Sequence, residues 1–131
     1  METKEKVNNV DIEDGKFIQI SENLAVIFYY EKPQQSFNIF LEYLSGISKI
    51  VLGRDTKENS PDEIVREIVD AVKRNPDIFY LAAIVYNTEN EKKYIMSSII
   101  KGLELNENEV FKNLKRKNKR IIIEERAKRR V

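Results

Sequence analysis

Lys112, Lys115, Arg116 and Lys119 recur at i, i+3, i+4 and i+7, a spacing that gathers all four on one side of a helix. Val110, Phe111 and Leu114 fall on the opposite side of the same turns. A helix divided in this way docks through its apolar face and offers cations to phosphates through the other. Glu107, Asn108, Lys112 and Asn113 are of types that reach base edges, Asn being suited to adenine. Arg120 extends the basic face, and Lys128, Arg129 and Arg130 repeat the charge near the C-terminus.

The charge tally sharpens this pattern. Residues 110–131 hold ten Lys/Arg against Glu124 and Glu125, a net of +8. The whole chain has 23 basic and 22 acidic residues, which leaves 13 and 20 for residues 1–109, a net of −7. A concentrated basic segment attracts polyanions and releases their counterions. The plain alternative is a solvated helix face, but such faces mix both signs, and 112–120 contains no acid. A sticky basic tail with no reading helix is the third possibility.

Several kinds of chemistry are excluded outright. Cysteine and histidine are both absent, which removes disulfides, thiolate nucleophiles, Ser-His-Asp catalysis and nearly all transition-metal sites. Carboxylates and lysines alone leave little for acid/base work near neutral pH, so the expectation is a non-enzyme with no catalytic, cofactor-binding or metal-ligating residues. A metal-dependent nuclease is the one enzyme class kept open. Glu63, Glu67 and Asp70 share helical spacing, but Arg66 and Lys73 are interleaved, which reads as an ion-pair surface. Asp11, Glu13 and Asp14 lack the length and order of a calcium loop. Leu52-Gly53-Arg54-Asp55 reads as a turn, since one glycine makes no phosphate cradle. Tyr29, Tyr30, Tyr80 and Tyr86 lie in apolar runs and read as core or interface aromatics, not base-stacking platforms.

An apolar fraction of 41% over 131 residues is enough for a real core in one compact domain. The apolar runs are too short to span a bilayer and the N-terminal stretch lacks a signal-peptide core, so an intracellular, cytoplasmic protein is expected. Residues 1–14 read as a flexible arm. Strands are expected near 16–20, 24–30 and 47–52, with a turn at Ser21-Glu22-Asn23. A helix near 36–45, with Ser36 as its cap, places Phe37, Phe40, Leu41 and Leu44 on one face. Ser60-Pro61-Asp62-Glu63 opens a helix over 61–74. From Asn75 onward the pattern predicts three helices, through Ile78 to Tyr86, through Tyr94 to Gly102, and from Asn106 onward. The expected fold class is α+β: a small α/β part over 15–74, serving as core or dimerisation surface, then a helical part over 75–131.

Within that helical part, Ile99, Ile100, Gly102-Leu103-Glu104-Leu105-Asn106 and the spacing onward to Val110 and Leu114 resemble the helix-turn-helix of winged-helix DNA-binding proteins. The resemblance covers 75–119, with Ile78 to Tyr86 matching the family's first helix. It departs at Arg120-Ile121-Ile122-Ile123-Glu124, which supplies at most one strand of a wing. It implies a small transcriptional regulator contacting duplex DNA through a basic helix near 107–119. Such regulators pair to match paired half-sites, so a homodimer is expected, with Phe17, Phe28, Tyr29, Tyr30, Phe37 and Phe40 at its interface or in the core. The rival is a non-enzymatic accessory factor, archaeal or viral in style, whose basic C-terminus docks on an acidic partner.

Overall fold

The apolar run Ile78–Tyr86 admits two periods. Ile78, Leu81, Ala82 and Val85 fit one face of a helix, yet the run is short, unbroken and bounded by Pro76 and Asn87. In the computed structural model, which describes residues 12–46 and 50–112, Tyr80–Tyr86 is a strand buried along its whole length. This corrects the helix expected there. A strand covered on both faces needs apolar residues at every position, so it shows no alternation to separate it from a buried helix.

Among the described residues the sheet has four strands. β1 (Ile18–Ser21) and β2 (Leu24–Tyr30) form an antiparallel hairpin, closed by Glu22 and Asn23. β3 (Ile50–Asp55) and β4 (Tyr80–Tyr86) run parallel to β2, in the order β1-β2-β4-β3. Tyr80 is level with Leu24 on one side and Ile50 on the other, so β4 is hydrogen-bonded along both edges. The fold class is therefore α+β with a mixed sheet, but the sheet is not confined to the N-terminal half. Its central strand comes from the part that the sequence pattern assigned to helices.

Parallel neighbours need crossovers, and helices supply them. α1 (Gln34–Ser45) links β2 to β3, α2 (Pro61–Arg74) links β3 to β4, and α3 (Glu89–Gly102) follows β4. Alternate strand residues point to opposite faces. Ala25, Ile27, Leu81, Ala83 and Val85 pack with Phe37 and Leu44 of α1. Val26, Phe28, Ala82 and Ile84 face the other way, where α2 and α3 lie together. Each such Val, Leu, Ile or Phe, fully buried, stabilises by roughly 1.5–3 kcal/mol. Of the described helices, one covers the first face and two cover the second.

Local chemistry explains the element ends. Ser60 caps α2 by accepting from the Glu63 amide at 3.2 Å, with Pro61 in the first turn. α1 begins at Gln34 with Pro33 at the cap position, so Ser36 lies inside the first turn and is not the cap. β3 runs on through Gly53 to Asp55, and the glycine leaves room for Leu41 of α1, whose methyls would sit 2.6 Å from a Cβ there. α3 starts with a capping box between Thr88 and Glu91, in what the sequence pattern left as a polar break.

At the other end of α3, Leu105 N–H donates to Ile100 O and Glu104 N–H to Lys101 O, both at 3.0 Å. That double closure needs a left-handed residue. Glu104 supplies it at φ 58°, not Gly102, whose bare Cα lets Val69 of α2 approach. Glu13–Leu105 forms one compact unit, so 75–105 folds with 15–74. The helix at 107–112 belongs to a second unit. Among the described residues no helix is long and apolar enough to cross a membrane.

Candidate functional site

Asn106 opens the C-terminal helix as its sequence pattern predicts: its Oδ1 accepts from the Glu109 amide and its carbonyl from the Val110 amide, both at 3.1 Å. Over 107–112, Val110 and Phe111 are buried while Lys112 is exposed. Asn108 and Glu109 are exposed on the same turns. Asn113, Lys115, Arg116, Lys119, Arg120, Lys128, Arg129 and Arg130 lie outside the described residues.

A second assembly sits at the carboxyl ends of the parallel strands, where α/β sheets commonly hold ligands. The crossovers leave β2 and β4 toward opposite faces, and Asp14 spans the gap between those strands. Its Oδ2 accepts from the Tyr30 amide at 2.9 Å and its Oδ1 from the Tyr86 hydroxyl at 2.6 Å. Lys92 of α3 lies 3.4 Å from that hydroxyl, 4.8 Å from the Tyr86 ring centroid and 3.2 Å from Glu89 Oε2. Tyr86 and Lys92 are 3% and 5% exposed, so these polar groups are buried and satisfied together. Glu31 leaves β2 at φ 36°, a strained angle for a non-glycine, with its amide held by Tyr86 O at 3.0 Å.

Burial, and then the hydrogen bond and charge of Asp14, push the Tyr86 phenol far above its ordinary range. It stays protonated and donates to Asp14, which disqualifies it as a base. Lys92 is compensated by Glu89 and the phenol oxygen. The chain carboxylate–phenol–ammonium–carboxylate works as a strut between β2, β4 and α3. Asp14 therefore belongs to the folded body and not to the expected N-terminal arm.

Next to it, Glu91 Oε1 accepts from the amides of Asn87 and Thr88, each at 3.1 Å, and Asn87 Nδ2 donates to Thr56 Oγ1 at 2.7 Å. Asp55 is buried at the end of β3 and accepts from the Lys57 amide at 2.9 Å, which folds the following turn. The turn expected at 52–55 is thus a strand end with its turn just beyond. Of the acidic trio on α2, Glu67 pairs with Arg54 of β3. Among the described residues no three acidic groups come together as a metal site.

The six aromatics expected at an interface or in the core differ in exposure. Phe28 and Phe37 are buried in the protein's own core, Tyr29 and Phe40 are half-buried, and Phe17 and Tyr30 are 53% exposed. Tyr80 and Tyr86 are core residues. The strut escaped the sequence pattern because Asp14 and Tyr86 are separated in sequence by 72 positions. The one local signal was a Lys at i+6 from a Tyr, across a capping box. Comparison with protein-family models, with curated proteins and with solved structures finds no match to this chain.

Proposed function

We propose that this is a small DNA-binding protein, a transcriptional regulator that holds duplex DNA through the basic segment beginning at Lys112. The observation that carries this reading is the charge split, +8 in residues 110–131 against −7 in residues 1–109. Buried Val110 and Phe111 beside exposed Lys112 support a helix presented by its basic side. The roles assigned are phosphate contact for Lys112, Lys115, Arg116, Lys119 and Arg120, base-edge contact for Asn113, and further phosphate contact for Lys128, Arg129 and Arg130. The Glu13–Leu105 unit is the body that carries the segment. Because Tyr80–Tyr86 is a strand, the helix-turn-helix likeness lacks its first helix, and the proposal rests on charge and amphipathicity.

A mobility-shift titration of random-sequence duplex at low salt tests it. Binding should appear at or below about 10 μM protein, since sequence-independent affinities lie near 10⁻⁴ to 10⁻⁶ M even at physiological salt. Absence of a shift under those conditions would transfer the basic segment to an acidic protein partner. Loss of the shift in Lys115→Glu/Arg116→Glu, with retention after removal of 126–131, would place the contact on the helix.

A further inference from the structure

Among the described residues the two faces of the sheet are covered unequally, and a cavity lies beside the helix on the more open face. Of the described helices, α2 and α3 share one face, whereas α1 serves the other. α1 also carries a second apolar stripe beside the one it buries: Ile39 and Tyr43 are 62% and 64% exposed, and Phe40 is half-buried between them and the sheet. Together with Tyr29 of β2, these side chains wall a cavity of about 400 Å³, within the range of small-molecule sites. Its walls are set by ring contacts. Tyr29 and Phe40 meet edge-on at 4.6 Å, and Phe40 and Tyr43 lie 6.3 Å apart.

The polar groups of the lining are few and of one kind. Among the described residues no carboxylate lines the cavity, and its single charge is Lys32. The Lys32 ammonium lies 5.1 Å from the Tyr29 ring centroid and forms no ion pair among the described residues. Ser36 adds a hydroxyl to the same lining. An unpaired cation beside an aromatic cavity complements a ligand with an apolar body and one negative charge. A polyanion fits poorly, because one lysine neutralises one charge and residues 1–109 carry a net of −7.

We propose that this cavity binds an apolar monocarboxylate, its chain among Tyr29, Ile39, Phe40 and Tyr43 and its carboxylate on Lys32. The proposal is independent of DNA binding, since every residue it uses lies in the Glu13–Leu105 unit.

Calorimetric titration of the full chain with octanoate, decanoate and dodecanoate, kept below their micelle concentrations, provides the test. Affinity should rise by about fourfold for each methylene added until the cavity is filled, and decanoate should bind more tightly than decanol. Lys32→Met should erase the preference for decanoate over decanol while decanol still binds. Tyr43→Ser, at an exposed position, should weaken decanoate at least tenfold without lowering the melting temperature. The basic C-terminus is unchanged in both variants, so carboxylate held only there would persist in them and overturn the proposal. Absence of binding across the series would also overturn it. So would a doubled mass abolished by Tyr43→Ser without any carboxylate binding, which would assign the stripe to a second copy of the chain.

Discussion

Between Glu13 and Leu105, charges of both signs are interspersed and several are tied to one another: Lys16 to Glu13, Arg54 to Glu67, Lys92 to Glu89. From Lys112 to Arg120 there is no acid at all, and the same stretch holds six Lys/Arg. In the first region charge follows from burial and capping. Asp62 and Glu63 sit at the start of α2, Lys73 and Arg74 at its end, each matching the helix dipole. In the second region charge is the dominant feature of the sequence. The difference teaches where each property should reside: stability in the apolar pattern of the body, and affinity for polyanions in the segment. Each can then be changed without the other.

The largest expected effect on the body comes from its central strand. Ile84 is fully buried in β4, and Ile84→Ala should cost about 2–5 kcal/mol in denaturant unfolding. At temperatures where the variant is still folded, the salt dependence of DNA binding should be unchanged. A changed dependence would mean the two regions are not separable.

A smaller loss should follow from the strut. Tyr86→Phe removes the donor to Asp14 and one partner of buried Lys92, which should cost roughly 1–3 kcal/mol. It should also alter the pH profile. Burial and Asp14 raise the Tyr86 pKa above its ordinary 10.0, so the phenol contributes its full stability below that pH. The contribution is lost as pH rises further, because the unfolded chain ionises first. Stability of the native protein should therefore fall above about pH 10, and Tyr86→Phe should show a flatter alkaline limb. Parallel limbs in melts across that range would remove Tyr86 as the cause.

The smallest effect should be a gain. Glu104 holds the left-handed position that closes α3, and Glu104→Gly should raise stability by about 0.5–1 kcal/mol. A loss in thermal melts would show that its side chain has a role beyond the turn.

Much of the body was legible from local signals. Leu24–Tyr30 is the strand its β-branched and aromatic run indicates, and Pro61–Arg74 is the helix announced by Ser60 and Pro61. The fold class follows from those elements, and Asn106 caps its helix as its type predicts. The failures have physical causes. Tyr80–Tyr86 is buried on both faces, which erases the alternation that marks a strand, and its Leu81, Ala82 and Val85 happen to fit a helical face. Thr88 and Glu91 formed a readable capping box, hidden by the helix assumed before it. The strut could not be read, since Asp14, Tyr86 and Lys92 meet only once the sheet order is known. The cavity beside α1 was likewise invisible, because Tyr29 of β2 joins Ile39, Phe40 and Tyr43 only once α1 is packed on the sheet.

The slope of log Kobs against log salt for duplex DNA tests the central claim most directly, measured for the native protein and for Lys112→Gln/Lys115→Gln/Arg116→Gln/Lys119→Gln. Each phosphate contact contributes about −0.9 to that slope. If these four residues hold the backbone, the variant should lose roughly 3.6 from the slope's magnitude, with its melting temperature unchanged. Equal slopes for the two proteins, or no binding by the native protein at low salt, would contradict the assignment of the basic segment to DNA.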